Sequence, residues 1–503
     1  MSTTIDRNAI KFDAAEVIIG LEVHVQLRSN SKLFCGCSTQ FGSEPNTQTC
    51  PVCTGMPGTL PVLNEQALKL SIKAGLAINC EIARHTKWDR KNYFYPDLPK
   101  GYQISQFDQP ICGPGGIECQ IPKSDLPPRT IRIERAHLEE DAGKSVHDES
   151  GKGGQSKIDL NRTGTPLLEI VTQPDIRSAA EAKAFLTELK LILQYVDVSD
   201  CNMQEGSLRC DANVNLHIDV GGEKIATPIV EVKNLNSFRA AERAIEFESK
   251  AQFRNWKKTG QVIGDVPKKT LGWDDSAQKT FVQREKEESA DYRYFPDPDL
   301  IAFVVSEEML EEIRGTVGLL PPELRQRLTS EFGLSDYDAE VIVSQGRAVV
   351  DYFLTVVEKA GGDKQKTAKR ASNWIGQEVM RYLNENQQGI EDYPVSAERL
   401  AELLKRIDAG EIDQTRAREV LAKMEVSGCD VQQAFDELGI VKVDSSELDA
   451  LCQQLIDENP GVVEEVKSGK MKAVGSLIGK ARKINSNVNP GELRKKLLEI
   501  IGI

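Results

Sequence analysis

Glu16-Val-Ile-Ile-Gly-Leu-Glu-Val-His-Val-Gln-Leu27 is the stretch around which the rest of the chain is organised. From Leu21 onward apolar and polar residues alternate strictly, which predicts a β-strand with one buried face. The apolar positions are Leu21, Val23, Val25 and Leu27, and the polar positions are Glu22, His24 and Gln26. The strand therefore places a carboxylate and an imidazole on one side. That side is either a solvated surface of a half-buried strand or part of a functional site.

The size and charge of the chain narrow the classes of protein to consider. At 503 residues it is too long for a single core and predicts about three domains. Hydrophobic residues make up 40% and charged residues 28%, as in ordinary soluble globular proteins. The formal net charge of −14 excludes a protein that coats nucleic acid with its whole surface, although a local basic patch is compatible with it.

No segment of the sequence predicts membrane insertion or secretion. Met1 to Ala15 lacks the apolar core of a signal peptide, and no apolar run approaches the ~18 residues of a membrane span. The sequence therefore predicts a cytoplasmic protein, or a mature organellar one, with no membrane partner.

Four of the eleven cysteines form a cluster, Cys35-Gly-Cys37 and Cys50-Pro-Val-Cys53. Two close pairs separated by a short loop suit tetrahedral coordination of zinc by thiolates. With all four positions taken by sulfur, such a zinc ion would be structural. The alternatives are a redox dithiol or unrelated thiols.

Aromatic and basic residues are interleaved from Asp89 to Asp97 and again from Lys100 to Gln106. Such a mixture can stack a nucleic-acid base and neutralise phosphate. It can equally be an aromatic-rich turn that packs onto its own domain. Asp291 to Asp297 partly repeats the first stretch, which suggests a related role.

Acidic residues occur in two places where charge is unfavourable. Glu139, Glu140 and Asp141 are consecutive, and Glu169 interrupts an apolar run. Both arrangements require solvent, a paired cation or a bound metal ion.

A second alternating stretch runs from Met203 to His217. Its polar face consists of Glu205, Ser207, Arg209, Asp211, Asn213 and Asn215. Together with the helices predicted between these strands, it indicates an α+β domain built around a polar cleft.

The rest of the chain has helical periodicity, which gives predicted domains at 1–299, 300–423 and 424–503. Gly461 to Ile503 carries nine Lys and Arg against four Glu, in contrast to the acidic chain as a whole. This tail is either the nucleic-acid contact or a solvated helix face.

The motifs taken together resemble the GatB family, the B subunits of the tRNA-dependent amidotransferases, and the resemblance covers essentially the whole chain. The segments that carry it are Ile19–His24, the cysteine cluster, Asp89–Asp97, His137–Ser145, Asp159–Glu169 and Glu205–Asp211.

The resemblance implies a ligase with glutamine as amide donor. It would phosphorylate the side-chain carboxylate of Glu-tRNA(Gln), and in many bacteria of Asp-tRNA(Asn), with ATP before ammonia displaces the phosphate. Ammonia would come from a partner amidase subunit, and a third, small subunit would complete a heterotrimer. The implied fold is α+β: an N-terminal catalytic cradle like that of glutamine synthetase and guanidino kinases, around a mainly antiparallel sheet, then an all-α helical domain and a small all-α tail domain.

The resemblance also implies roles for individual residues. The catalytic magnesium ligands would be Glu22, His24, Glu140 and Glu169, with Glu139 close by. Because magnesium prefers oxygen ligands, His24 would contact the metal only through a neighbour or only transiently; otherwise manganese would also fit the site. The acceptor end of tRNA would meet Arg90, Tyr93, Tyr95 and Lys100, and its body would meet Lys470 and Lys472. Ser207, Arg209 and Asp211 would line the ATP or substrate pocket, and the four cysteines match the zinc-bearing members.

Two other functions compete with this hypothesis. A non-catalytic tRNA-binding scaffold would keep the activity of the assembled complex after Glu140→Ala. A ligase of a free metabolite would act without tRNA.

Overall fold

The computed structural model describes residues 7–121, 124, 127–146, 156–285, 292–441, 443–485 and 487–502. The chain divides into two compact units, Met1–Leu320 and Pro321–Ile503. The first unit extends past the predicted boundary at 299 because a strand at Phe303–Val304 pairs with His85–Thr86. The predicted boundary at 423 falls inside a helix, Gln414–Ser427.

The first unit contains the strands, which confirms the predicted α+β class. In chain order they are β1 (Ala15–Gln26), β2 (His85–Thr86), β3 (Asp89–Asn92), β4 (Tyr102–Ser105), β5 (Gly115–Cys119), β6 (Arg129–Glu140), β7 (Lys144–Val146), β8 (Lys157–Asp159), β9 (Pro166–Thr172), β10 (Leu208–Val220), β11 (Glu223–Ala226), β12 (Val230–Lys233), β13 (Lys269–Asp274), β14 (Lys279–Glu285), β15 (Phe295–Pro296) and β16 (Phe303–Val304).

The main sheet has the strand order β14-β13-β12-β10-β1-β9-β6-β5, with β11 paired to β10. Neighbouring strands in this sheet are antiparallel, except that β12 and β13 are parallel to each other. The prediction of a mainly antiparallel sheet is therefore confirmed. The opening stretch forms β1, which lies between β10 and β9. The alternation of apolar and polar residues gives β1 one buried face, as predicted, because Leu21, Val23 and Val25 are buried in the core.

In the described part of the first unit, four helices accompany this sheet: α1 (Glu65–Ala77), α2 (Ala179–Tyr195), α3 (Phe238–Thr259) and α4 (Glu307–Gly315). The first three begin at Asn64, Ser178 and Ser237, whose side chains each accept a hydrogen bond from a backbone amide of the first turn. Their apolar faces join those of β1 and β9 in one cluster, which leaves the polar face of these strands for other contacts.

A small sheet with the order β15-β3-β4 adjoins the main sheet, since Gln103 and Ser105 of β4 contact the end of β6. It explains the partial repeat in the sequence, because Phe295 of the second copy pairs with Arg90 of the first. Asp291, where that repeat begins, lies outside the described residues.

The second unit is helical. Its helices are α5 (Pro321–Phe332), α6 (Asp336–Val343), α7 (Arg347–Ala360), α8 (Lys364–Trp374), a π-helical turn (Ile375–Val379), α9 (Met380–Asn386), α10 (Ala397–Asp408), α11 (Gln414–Ser427), α12 (Val431–Glu437), α13 (Ser445–Glu458), α14 (Pro460–Lys467), α15 (Val474–Ile484) and α16 (Pro490–Ile501). Short 3-10 turns occur at Ile390–Asp392 and Met471–Ala473 in this unit, and at Arg7–Ala9 and Phe12–Ala14 in the first unit. Helices α13 to α16 share an apolar cluster of their own that includes Leu455, Leu477 and Leu493.

Among the described residues, no helix combines the length and the apolar character that crossing a membrane would require.

Candidate functional site

A row of polar side chains crosses four strands on the face of the main sheet opposite its apolar cluster. His24 of β1 is in register with Arg209 of β10 on one side and with Glu169 of β9 on the other. Glu169 is in register with His137 of β6. Because residues in register across antiparallel strands point to the same face, four separate sequence motifs meet in this row.

The centre of the row is the carboxylate of Glu169. Its Oε2 lies 3.4 Å from Nε2 of His24 and 3.4 Å from Nε2 of His137. His137 Nε2 also lies 3.5 Å from Oε2 of Glu139. Ligand atoms of His24, Glu139 and Glu169 all lie within 4.8 Å of one another, so these three residues could hold a metal ion.

These groups are enclosed rather than solvated. The side chain of Glu169 is 11% exposed and that of His24 is 21% exposed. His24 and Glu169 are therefore largely shielded from water, which favours the interpretation of the polar side of β1 as part of a functional site.

The buried charges depend on one another. Burial alone would lower the pKa of His137, but the charge of Glu169 and the hydrogen bond to Glu139 outweigh it and raise the pKa to about 9. Burial likewise opposes the ionised form of Glu169, yet the two imidazoles hold the pKa of this carboxyl well below its usual range. The cluster therefore favours an ionised Glu169 that has positive charge beside it.

Two of the predicted metal ligands lie apart from this group. The Glu22 carboxylate accepts a hydrogen bond from the side-chain amide of Asn213 at 2.9 Å. The Glu140 carboxylate pairs with Lys100 and accepts the backbone N–H of Ile104 at 3.1 Å. Glu139, predicted to lie close to the site, is the member of the acidic run that the structure brings to His24 and Glu169.

The small sheet holds Glu139 from the other side. Ser105 donates its hydroxyl to Glu139 Oε2 at 3.0 Å, and Gln103 donates its amide to Oε1 at 3.4 Å. Lys91 Nζ lies 3.9 Å from Glu139 Oε2, although the sequence did not single it out as a site residue. The only sequence feature that marked Lys91 was its place among aromatic residues.

The residues predicted to meet the acceptor end of tRNA differ in accessibility. Arg90 is held by Asp297 at 2.7 Å and Asp299 at 2.8 Å, and Tyr93 donates to the side chain of Gln103. With Lys100 also paired, these three side chains contact their own domain. Tyr95 is 54% exposed, and its neighbour Phe94 is 85% exposed.

Asp141 is a buried hub that the sequence marked only as the third acid of a run. It accepts hydrogen bonds from Gln26 at 2.8 Å and Arg209 at 2.9 Å, and Arg162 Nε lies 3.5 Å away. Burial opposes its charge, but Arg209 and Arg162 lower the pKa of the Asp141 carboxyl. This hub fixes one end of Arg209, whose Nε is buried without a hydrogen-bond partner among the described residues.

The other two residues of the predicted ATP or substrate pocket have partners within the chain. The Ser207 hydroxyl donates to the side chain of Asp200 and accepts the backbone N–H of Asn202 at 2.7 Å. Asp211, on the same strand face as Arg209, pairs with Lys233 of β12 at 2.7 Å.

The four clustered cysteines come together as predicted. The sulfur atoms of Cys35, Cys37, Cys50 and Cys53 lie within 4.8 Å of one another, and all four thiols are free. A hydrogen bond from Cys35 and the nearby ammonium of Lys32 lower the pKa of Cys53 to about 4, against the effect of burial. The group could hold a metal ion through sulfur alone, which suits a structural ion. Sequence patterns gave no indication of Lys32.

The predicted basic contacts of the tail lie on its surface. Lys470 and Lys472 are both exposed, and Lys470 Nζ is 3.8 Å from Glu465. They are therefore accessible to a large partner.

Comparison with known proteins covers almost the whole chain. Residues 17–311 match the family model described as the GatB/GatE catalytic domain, and residues 351–501 match the one described as the GatB domain. A relative from Rhodopirellula baltica, named as the B subunit of an aspartyl/glutamyl-tRNA(Asn/Gln) amidotransferase, is 57% identical over 484 residues, which is 96% of each chain. Relatives of the same name from Moorella thermoacetica and Caldanaerobacter subterraneus are 46% and 45% identical, over 96% of this chain and 99% and 98% of theirs.

Proposed function

Because this chain belongs to the family of B subunits of the aspartyl/glutamyl-tRNA(Asn/Gln) amidotransferases, we propose that it activates the side-chain carboxylate of a misacylated tRNA for amidation. The substrate is Glu-tRNA(Gln), Asp-tRNA(Asn) or both. ATP supplies the phosphoryl group, and ammonia from a partner amidase subunit replaces it. A third, small subunit completes the heterotrimer.

The observation that carries this proposal is the enclosed group of His24, Glu139 and Glu169. A carboxylate that attacks a phosphate brings negative charges together, so the reaction needs fixed positive charge and accurate positioning. Two carboxylates and an imidazole fit magnesium, or manganese because of the nitrogen ligand. A divalent ion held by these residues would neutralise phosphate oxygens and orient the ATP.

Glu22 and Glu140, which the family resemblance implies as metal ligands, lie outside the three-residue metal group, and we propose that they act beside it. Glu22 is on the same strand face as His24, two residues away. Glu140 follows Glu139 and is neutralised by Lys100. Lys100 thus offsets the charge of Glu140, while Lys91 and the two imidazoles lie beside Glu139 and Glu169.

Arg209 supports the assignment of an ATP or substrate pocket beside the metal group. It is in register with His24, one of its terminal nitrogens is fixed by Asp141, and its Nε lacks a partner in the described part of the chain. A guanidinium held in this way can bind a phosphate oxygen without losing much conformational freedom. Asp211 lies on the same face of β10 as Arg209, Ser207 immediately precedes that strand, and we assign both to this pocket.

Exposed groups support the tRNA contacts. Tyr95 and Phe94 offer aromatic surfaces on which an unpaired base can stack, next to the cations of Arg90 and Lys100. In the tail, Lys470 and Lys472 offer charge to the phosphates of the tRNA body. Zinc held by the four cysteines would stabilise the cysteine insertion, which is the segment between β1 and α1.

The test is amidation by the chain assembled with its amidase and small partner subunits, given ATP, glutamine and each misacylated tRNA. We expect product from at least one of the two tRNAs, and none from free glutamate or aspartate. A complex carrying Glu169→Gln should lose amidation but still bind tRNA, whereas Glu118→Gln, an exposed carboxylate on β5, should behave as wild type. Retained amidation in Glu169→Gln would favour a non-catalytic scaffold, and amidation of free amino acids would favour a metabolite ligase.

A further inference from the structure

Lys32 is a fully buried lysine beside the cysteine cluster. Its side chain has no exposed surface, and its ammonium has three acceptors among the described residues. It donates to the carbonyl oxygen of Gln48 at 2.7 Å, to that of Leu160 at 3.4 Å and to the sulfur of Cys53 at 3.6 Å. These contacts use all three N–H groups of the ammonium.

Hydrogen bonds alone do not account for a charge in this position. Two of the three acceptors are neutral carbonyl groups, and within the described part of the chain no carboxylate lies within ion-pair distance of Lys32. A buried ammonium without a counter-ion is strongly destabilising. The sulfur of Cys53 is the contact that can supply the negative charge, provided that it is a thiolate.

A metal ion makes the charges of the cluster complementary to Lys32. When one divalent ion binds, four thiols lose their protons and four sulfur–metal bonds form, which leaves two net negative charges on the centre. Cys53 is 2% exposed, so solvent contributes little to balancing that charge. One ammonium in contact with one of the thiolates balances half of the net negative charge of the centre.

We propose that Lys32 is the counter-ion of the metal-loaded cysteine centre and that its charge is needed to retain the metal. The inference rests on the proposed zinc occupancy of the four cysteines, and adds a residue that is not itself a ligand. Outer-shell groups of this kind orient the ligands and tune the affinity of the metal.

The same lysine connects the centre to the segment that leads into β9. The carbonyl oxygen of Leu160 accepts a hydrogen bond from the Lys32 ammonium. The backbone N–H of Leu33, which follows Lys32, donates to the carbonyl oxygen of Gly164 at 2.8 Å. A Cβ on Gly164 would lie 3.6 Å from Cys53 Cβ, 3.6 Å from Lys32 Cδ and 3.5 Å from Glu140 Oε1. Cys53, Lys32 and Glu140 therefore all pack around Gly164, which brings the cysteine centre close to Glu140.

The experiment uses the full chain and zinc itself. Wild type, Lys32→Gln, Lys32→Met and Lys32→Arg are loaded with zinc, and the transfer of zinc to a chromophoric chelator is followed in time. Lys69→Gln is the matched control, because Lys69 forms a surface ion pair with Glu65 on α1. Cobalt-substituted samples report the ligand set by their absorption spectrum.

We expect both neutral variants to lose zinc roughly 10- to 100-fold faster than wild type. Lys32→Arg and Lys69→Gln should stay near the wild-type rate. Glutamine keeps hydrogen-bond donors but not the charge, so a wild-type rate in Lys32→Gln would overturn the proposal even if Lys32→Met were fast.

Failure of the two proposals can be told apart. Wild-type protein purified without zinc, and unable to bind it, would overturn the zinc occupancy. Zinc retained equally in wild type and Lys32→Gln would overturn only the role of Lys32. If the neutral variants do not fold, Lys32→Arg decides the matter: retained zinc supports the charge requirement, and rapid loss from a folded protein contradicts it.

Discussion

At the scale of single residues, the site is organised by one carboxylate oxygen. Glu169 Oε2 is approached by the Nε2 atoms of both His24 and His137. A lone charge within the apolar run of β9 is thereby stabilised, and both imidazoles also lie near Glu139. His24, Glu139 and Glu169 form the group whose ligand atoms all lie within 4.8 Å of one another, which favours His24 as a direct metal ligand rather than as a residue that contacts the metal only through a neighbour.

Replacing His24 tests that assignment. In the assembled complex, His24→Gln should raise the magnesium concentration for half-maximal amidation by roughly 10- to 100-fold, because a ligand is lost while the carboxylates remain. A magnesium titration of the amidation rate measures this shift. His85→Gln, in the short strand β2 and exposed, serves as the control. An unchanged magnesium requirement would show that His24 does not bind the metal.

Glu248, a buried residue outside the site, makes the stability of the protein depend on pH. Glu248 of α3 is 4% exposed, and burial raises its pKa to about 7, although the Thr280 hydroxyl at 3.1 Å acts in the opposite direction. At a pH below the pKa that Glu248 has in the unfolded chain, its carboxyl is protonated in both the folded and the unfolded state. As the pH rises toward 7, this carboxyl ionises in the unfolded state first, so the free energy of unfolding falls. Above pH 7 the folded state carries the full cost of a buried, ionised carboxylate.

Glu248→Gln should remove this dependence. Above pH 7 the variant should be more stable than wild type by up to about 3 kcal/mol, and near pH 4.5 the difference should vanish. Urea unfolding at several pH values measures the difference. A constant difference across the range would contradict a raised pKa in the folded state.

At the scale of elements, local patterns predicted most of the fold. The alternation of β1 depends on neighbours in sequence, and the structure has this strand where expected. The similarity of the segments at Asp89–Asp97 and Asp291–Asp297 suggested a related role, but it did not predict that β3 and β15 pair in one small sheet. Their antiparallel register comes from contacts between residues about 200 positions apart, which sequence periodicity does not contain.

The position of Glu139 shows why the metal group itself was harder to predict. The pairing of β6 with β9 shifts register between Ile133 and Arg135, and such an irregularity changes which residues of a strand face a given side. Glu139 consequently faces His137 and Glu169, while Glu140 meets Lys100. Nothing in the run of three acids distinguishes the two residues before the strands are paired.

The packing of the cysteine insertion against the site can be tested at one glycine. Gly55 has a φ of +70°, and a Cβ there would lie 2.5 Å from Cγ and 3.0 Å from Cα of Lys100. Gly42 has a φ of +82° but no atom within 4 Å of such a Cβ. Alanine at either position adopts an unfavourable backbone conformation, and only at Gly55 does it also collide with a neighbour.

We therefore expect Gly42→Ala to cost about 1 kcal/mol and Gly55→Ala to cost a further 1–3 kcal/mol or so. Urea unfolding of both variants at equal pH and zinc concentration gives the comparison. Equal losses of stability would mean that the insertion does not pack on Lys100 as described.

At the scale of the whole molecule, an acidic chain includes a tail in which basic residues outnumber acidic ones. The net charge is −14, whereas Lys470 and Lys472 are exposed in a part of the second unit with its own apolar cluster. This separation suits a protein that must bind a polyanion in one region while a cluster of carboxylates functions in another.

Removing both lysines should weaken tRNA binding without affecting the cradle. Lys470→Ala with Lys472→Ala should reduce the slope of log affinity against log salt by about 1.4–1.8, since each lost phosphate contact lowers it by about 0.7–0.9. Binding measured at several salt concentrations gives the slope. Lys250→Ala with Lys258→Ala, on α3, is the control pair, and a slope changed equally by both pairs would contradict a specific role of the tail.

The most direct test of the central claim is the formation of ADP from ATP by the assembled complex in the absence of glutamine and ammonia. We predict ADP only when misacylated tRNA is present, because its side-chain carboxylate accepts the γ-phosphoryl group and ADP is the leaving group. Glu169→Gln should reduce the rate of ADP formation at least ~100-fold while tRNA affinity stays at the wild-type level. ADP formation that does not require misacylated tRNA, or that continues unchanged in Glu169→Gln, would contradict carboxylate activation at this site.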